Sequence, residues 1–300
     1  MSQKFRTMDL LEWTMLIALA LVWAGTFFFA AIAVVEIPPL TIAFLRVSGA
    51  ALVLLLALYL MGILMPREGS VWAAFFGMGL FNNAIPFSLI FWAQTELTSG
   101  VASILNAAMP VFTVIAAHLL TKDEKMTKMR FLGVVLGFLG IVVLIGSPIS
   151  GSIWAHLAIL AAGISYALAS IFGKRFAQMG VKPMATATGQ VICSAIILLP
   201  FALILERPWT NASPSFHVIQ AMIAMISLST AFAYFLYFRI LSTAGATNVA
   251  LVTLLIPPFA VLLGILFLNE TLTLQQLTGM FIITAGLVSI DGRVARLFKK

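Results

Sequence analysis

Ten apolar runs of about 20 residues, separated by short polar connections, leave this chain little alternative to a helical membrane bundle. They begin near Trp13, Leu40, Val71, Val101, Phe131, Trp154, Met184, Phe216, Ala246 and Leu274, and each is closed by Pro, Gly or a charge. A helix crossing a hydrocarbon core of roughly 30 Å uses about 20 apolar residues. Ten crossings therefore consume nearly all 300 residues, 62% of them hydrophobic and 9% charged. No length remains for a tethered kinase, a nucleotide-hydrolysing motor or a sizeable receptor domain. The expected fold class is all-α and integral to the membrane. The first run, Leu10 to Val35, exceeds the roughly 7–15-residue core of a signal peptide and reads as an uncleaved span.

A net charge of +7 would suggest nucleic acid in a soluble protein, but its distribution has another cause. With a cytoplasmic N-terminus, 15 of the 17 Lys and Arg residues fall on the cytoplasmic side, Arg207 alone falls outside, and Arg46 lies within a span. That excess is the positive-inside signature. Both termini are expected in the cytoplasm of a multi-pass protein of the bacterial inner membrane, with no nucleic-acid partner. The terminal Arg293, Arg296, Lys299 and Lys300 suit the headgroups of membrane lipid. Cys193 stands alone, so neither a disulfide framework nor a CxxC metal site is expected.

The halves repeat. Val101 precedes Pro110 by nine residues, and Val249 precedes Pro258 by the same interval. Glu124 precedes Gly133 and Gly140 by nine and sixteen, as Glu270 precedes Gly279 and Gly286. Pro39 and Arg46 are seven apart, like Pro183 and Gln190, and Trp23-Ala24 aligns with Tyr166-Ala167. The chain thus reads as one five-helix unit twice, over residues 1–147 and 148–300. Five is odd, so the second copy is inverted, an architecture known from alternating-access transporters with a substrate near the midplane.

On these features the chain resembles the drug/metabolite transporter superfamily, in its ten-helix branch of duplicated EamA domains. The resemblance covers nearly the whole chain. It rests on the five-plus-five organisation, Trp23-Ala24-Gly25, Arg46, Asn106 through Pro110, and Glu-x₈-Gly-x₆-Gly entering the fifth and tenth helices. Many relatives carry Trp-Gly where this chain has Trp23-Ala24. The resemblance implies export of amino acids and related metabolites, with a bacterial aromatic amino-acid exporter group as the expected neighbour.

Residues that can carry transport are polar or hinge-forming groups inside spans. Asn82 and Asn83 sit mid-span before Pro86, and Asn106 lies four residues before Pro110. Unpartnered amides cost several kcal/mol in hydrocarbon, so they line a cavity or bond to neighbouring helices. Arg46 costs at least about 2.5 to 3.5 kcal/mol there, so it pairs with a substrate carboxylate, anchors carbonyls or snorkels to headgroups. Trp23, Phe27, Tyr166 and Tyr234 suggest an aromatic wall, against the ordinary reading of packing or lipid contact. Gln190, the repeat mate of Arg46, and Ser165 complete the candidate substrate site. Pro86, Pro110, Pro257 and Pro258 each delete a helical hydrogen bond and are candidate hinges or static kinks. Gly133, Gly137 and Gly140 offer a small face for packing within a monomer or between two copies.

Enzymatic motifs and cofactor-binding patterns are absent from the sequence, and Ser165 has no base, since His118, His156 and His217 fall near helix ends. No Asp or Glu lies deep in a span, which disfavours exchange of a drug cation against protons on one carboxylate. The leading expectation is a secondary exporter of an amino acid with an apolar or aromatic side chain. A broad drug or toxic-analogue exporter is the alternative within transport, and a small-molecule receptor or channel the alternative outside it. Cysteines introduced at Ser150 and Ser213 should react with an impermeant reagent from outside the cell, and one at Lys125 only after lysis; labelling of all three from outside would overturn the ten-span topology.

Overall fold

The computed structural model describes residues 8–121, 126–146 and 151–291. Among these residues the spans are α1 (Leu10–Ala33), α2 (Pro39–Leu60), α3 (Gly69–Ala93), α4 (Ser99–Leu120), α5 (Lys128–Ile145), α6 (Ile153–Gln178), α7 (Pro183–Glu206), α8 (Phe216–Leu241), α9 (Val252–Leu268) and α10 (Leu274–Asp291). No described residue is in a strand. Nine of the spans are long and apolar enough to cross a membrane, while α9 has 17 residues. The run starting near Ala246 is broken at Ala250–Leu251, where a four-residue helix, Ala246–Val249, ends before α9 begins. Three-residue bonds carry the chain across, with Leu251 N–H donating to Asn248 at 3.1 Å and Thr253 N–H to Ala250 at 3.2 Å. Glu124, Lys125, Ser150 and the basic residues at both termini lie outside the described residues.

Local sequence starts each helix. Asp9 and Glu12 close a capping box on α1, and Thr98, Thr127, Ser152 and Ser215 cap α4, α5, α6 and α8 through their side-chain oxygens. Pro39 and Pro183 open α2 and α7 at the first turn, where no N–H is needed. Leu52, Leu56, Phe131 and Phe281 are more than half exposed on the outer faces, surface that hydrocarbon accepts and water would not.

The packing repeats across the halves. α1 packs on α8 and α9, as α6 packs on α3 and α4; α2 packs on α8, as α7 packs on α3. Three pairs of repeat mates touch, α2 with α7, α4 with α9 and α5 with α10, as expected around a two-fold axis relating two inverted five-helix repeats. Glycines close the α5–α10 pair. A Cβ at Gly133 would stand 2.5 Å from the Gly286 carbonyl oxygen, and one at Gly140 2.7 Å from the Ile283 backbone nitrogen. The glycine face of α5 is therefore filled by α10 of the same chain at Gly133 and Gly140 and by Val111 of α4 at Gly137.

Since those neighbours are backbone, they cannot rotate aside. Gly133→Val is expected to destabilise the protein by about 1 to 3 kcal/mol, whereas Gly69→Ala, with nothing within 4 Å of its Cβ, should stay within about 0.5 kcal/mol. Thermal melts of the purified variants check both.

Candidate functional site

Two spans lose α-helical register at their centres. α3 passes through a π-helical stretch at Leu80–Ala84 and α8 through another at Ser227–Phe232, their first residues 147 positions apart in the chain. The two stretches are repeat mates. Such five-residue bonding widens the helix and turns side chains that a straight helix would hide. In α3 it presents Asn82 and Asn83 to α7; in α8 it presents Thr230 to α2.

The resulting contacts mirror one another. Asn82 donates its Nδ2 to Gln190 Oε1 at 3.1 Å, and Gln190 donates its Nε2 to the Tyr234 hydroxyl at 3.2 Å. Asn83 donates to Ser194 Oγ at 3.0 Å, and Ser194 donates in turn to the Gln190 carbonyl at 2.6 Å. On the other side Arg46 donates its Nε to Thr230 at 3.2 Å and an Nη to Thr26 at 3.4 Å. The guanidinium lies 4.1 Å from the Phe87 ring centroid and is only 6% exposed, so it does not snorkel to a headgroup region. Two threonines occupy few of its five donors. Asn83 Oδ1 and Asn106 Oδ1 are buried without any donor.

Other expected site residues take different places. Ser165 donates to the Phe81 carbonyl at 2.7 Å. In π register that carbonyl would receive the N–H of residue 86, and Pro86 has none, so Ser165 fills the gap. Trp23 packs on Tyr237 with centroids 5.8 Å apart, in a cluster with Leu16, Leu19 and Ile240. Phe27, Tyr166 and Tyr234 belong to the main core instead. Asn106 ends the first half of α4; the chain re-enters the helix at Met109, and Pro110 lacks the N–H that would meet the Asn106 carbonyl. Pro257 and Pro258 lie inside α9, the first buried and the second exposed. Thr26, Ser194 and Thr230, absent from the sequence reading, hold the polar groups in place. A short hydroxyl inside an apolar run, as in Ile192-Cys193-Ser194-Ala195, is their only signal.

The model of the EamA-like transporter family matches residues 11–146 and again 153–290. The chain belongs to that family. It is 30% identical over 278 residues to the inner membrane transporter YedA of Escherichia coli K12, covering 92% of this chain and 89% of YedA. It is 24% identical to the transporter YoaV of Bacillus subtilis, over 91% of this chain and 94% of that one. A Salmonella typhimurium protein named a probable amino-acid metabolite efflux pump is 27% identical, over 89% and 90% of the two chains. One solved crystal structure, 20% identical, superposes with a TM-score of 0.68 over 96% of this chain and 98% of its own. The chain is thus a multi-pass membrane transporter of a small molecule and not an enzyme.

In this EamA-family fold one end of the bundle is tied shut. Glu206 accepts the N–H groups of Leu40 and Thr41 at 2.8 and 2.6 Å. Glu270 accepts those of Ser99 and Gly100 at 2.7 and 3.0 Å. Glu36 takes the Ser215 N–H at 2.6 Å and its hydroxyl at 2.8 Å, and Glu96 takes the Ser152 N–H at 3.0 Å. Each carboxylate sits on the positive N-terminus of a helix from the other repeat. Two of them flank left-handed residues, Arg207 at φ 45° and Asn269 at φ 55°, so backbone strain is spent to aim them.

The Ser215 backbone and hydroxyl hold the Glu36 carboxyl below the usual glutamate range, and the Ser152 hydroxyl and backbone do the same for Glu96. A lowered folded-state value means stability present above the free-glutamate range, about pH 4.3, and lost as pH falls through the lower folded value. Glu36→Gln with Glu96→Gln should therefore flatten the acid limb of the melting temperature between pH 6 and about pH 3.5. An acid limb as steep as that of the parent protein would leave these carboxylates without a part in it.

Proposed function

We propose that the protein exports a small zwitterionic metabolite, an amino acid with an apolar or aromatic side chain, across the inner membrane by alternating access. The observation that carries this reading is the pairing of spare donors with spare acceptors: Arg46 has guanidinium N–H groups to give, and Asn83 and Asn106 have buried carbonyl oxygens without donors. A carboxylate fits the first and an ammonium the second. Phe27, Tyr166 and Tyr234 of the main core supply aromatic surface for the side chain, with Trp23 at its edge from the neighbouring cluster that shares Ile256 and Phe259, while Asn82, Ser165 and Gln190 complete the polar lining and Pro86, Pro110, Pro257 and Pro258 serve as hinges. The inverted repeats are residues 1–147 and 148–300, the units that move are the two packs that mix them, α1 with α8 and α9 and α6 with α3 and α4, and both termini lie in the cytoplasm. The Salmonella relative's name supports the substrate class.

In this reading the tied end is the periplasmic one, and export proceeds when its four carboxylate contacts release while the opposite end closes. Proteoliposomes preloaded with unlabelled amino acid should take up labelled amino acid by counterflow, which a channel does not produce. Asn83→Leu is expected to lower transport of every amino acid by at least about tenfold, the loss of one hydrogen bond to a charged group. Trp23→Ala should hurt aromatic substrates far more than alanine or threonine. Equal losses for all substrates would remove the aromatic wall, and full activity of Asn83→Leu would remove the amides from the site.

A further inference from the structure

Two cavities flank the polar cluster, and they are repeat mates. One, of about 370 Å³, lies between α3, α4 and α6. The other, of about 320 Å³, lies between α8, α9 and α1. Phe81 lines the first where Leu228, 147 residues later, lines the second. Leu168, Ile171 and Phe172 line the first where Gly25, Phe28 and Phe29, each 143 residues earlier, line the second. The first reaches Phe81, the neighbour of Asn82; the second reaches Ser229, the neighbour of Thr230.

Their mouths differ. The first ends at Lys174, Arg175 and Gln178 near the C-terminal end of α6. The positions 143 residues earlier are Ala31, Ile32 and Val35, and none of them lines the second cavity. Charge is therefore present at one mouth only. Arg175 holds its guanidinium carbon 3.5 Å from the Phe172 centroid. Stacking fixes the plane of the guanidinium and leaves its edge free for a planar, two-oxygen acceptor. No carboxylate among the described residues pairs with it. Behind this cation the wall turns apolar, at Phe81, Leu168 and Ile171. The volume lies at the small end of the roughly 300–1,000 Å³ of ligand pockets.

We propose that this cavity is a capture site for the carboxylate of the cargo, with Arg175 as anchor and the Phe81–Leu168–Ile171 wall receiving the side chain. The class of ligand is a free carboxylate attached to an apolar or aromatic body. The identity of the cargo rests on the export reading above; the site itself does not. Capture at one mouth leaves the overall equilibrium unchanged, but it lowers the concentration needed for loading from that side. Its apolar mate at the tied end has no means to recapture the released carboxylate.

The experiment uses the full chain in an uncharged detergent, with Gln178→Cys as reporter. Cys193 is fully buried, and the parent protein sets the background. Maleimide alkylation of the reporter is expected to slow with phenylpropionate and not with phenylethylamine. Arg175→Gln should raise the half-protecting concentration about three- to fivefold, the effect of one partly exposed charge pair, and Arg175→Lys should restore part of it. In oriented proteoliposomes Arg175→Gln should raise KM by the same factor for loading at that mouth and leave kcat unchanged. Equal protection by the acid and the amine, protection indifferent to Arg175→Gln, or phosphatidylglycerol protecting as well as the free acid would each overturn the capture site. Carboxylate protection in a protein that transports no amino acid would sink the export reading alone.

Discussion

Inside hydrocarbon a guanidinium or an amide has no water to fall back on, and the centre of this bundle is organised by that constraint. Arg46 is held by hydroxyls of α1 and α8, and Gln190 by an amide of α3 and a phenol of α8. These bonds lash the central pair, α2 and α7, to the spans that carry the π-helical stretches. The π register is what makes the bonding geometrically available, and it leaves backbone carbonyls to be satisfied elsewhere. Ser165 supplies that satisfaction at the Phe81 carbonyl. Polar chemistry at the midplane and irregular backbone at the midplane are thus one feature, since neither is tolerable in lipid alone.

The ends of the bundle are built on opposite principles. At one end four glutamates reach across the repeat boundary to helix N-termini, a favourable charge–dipole arrangement that is readily broken where the carboxylate is exposed, at Glu36 and Glu96. At the other end the charges are mostly cations, and a cavity runs inward beside α6. In the proposed cycle, a rocking motion about the α2–α7 contact exchanges contacts at the two ends. Glu36 and Glu96 are exposed and release with little penalty, whereas Glu206 and Glu270 are half-buried; the proposed alternating access needs states separated by only a few kcal/mol.

Hydropathy made the spans legible, because each span is solved locally by length and composition. The repeat was legible from spacing, and Arg46 from a charge where none belongs. The π stretches were not, because spans that are apolar nearly all round carry no polar stripe in which a shift of helical phase would show. Thr26 and Thr230 were hidden because threonine within a helix ordinarily bonds its own carbonyl four residues back. Pairs such as Glu206 with Thr41 join residues 165 positions apart, which no local pattern signals. Trp23 and Tyr166 were matched by the repeat, and inversion sets such mates on opposite sides of the axis. Likeness in sequence is not adjacency in space, and the two rings pack in different clusters.

The π stretches carry a further consequence for how such a chain can vary. Each holds one residue more per turn than its flanks, a surplus that advances everything beyond it by about 100° around the helix axis. Removing that residue would leave composition, hydropathy and length nearly unchanged. It would nonetheless swing the far half of α3, with Pro86, Phe87 and Phe91, away from Arg46, and the same holds for Tyr234 beyond the stretch in α8. Insertions and deletions that look harmless on a hydropathy plot therefore act here as rotations, and the phase of a span is as much a determinant of its chemistry as the residues it carries.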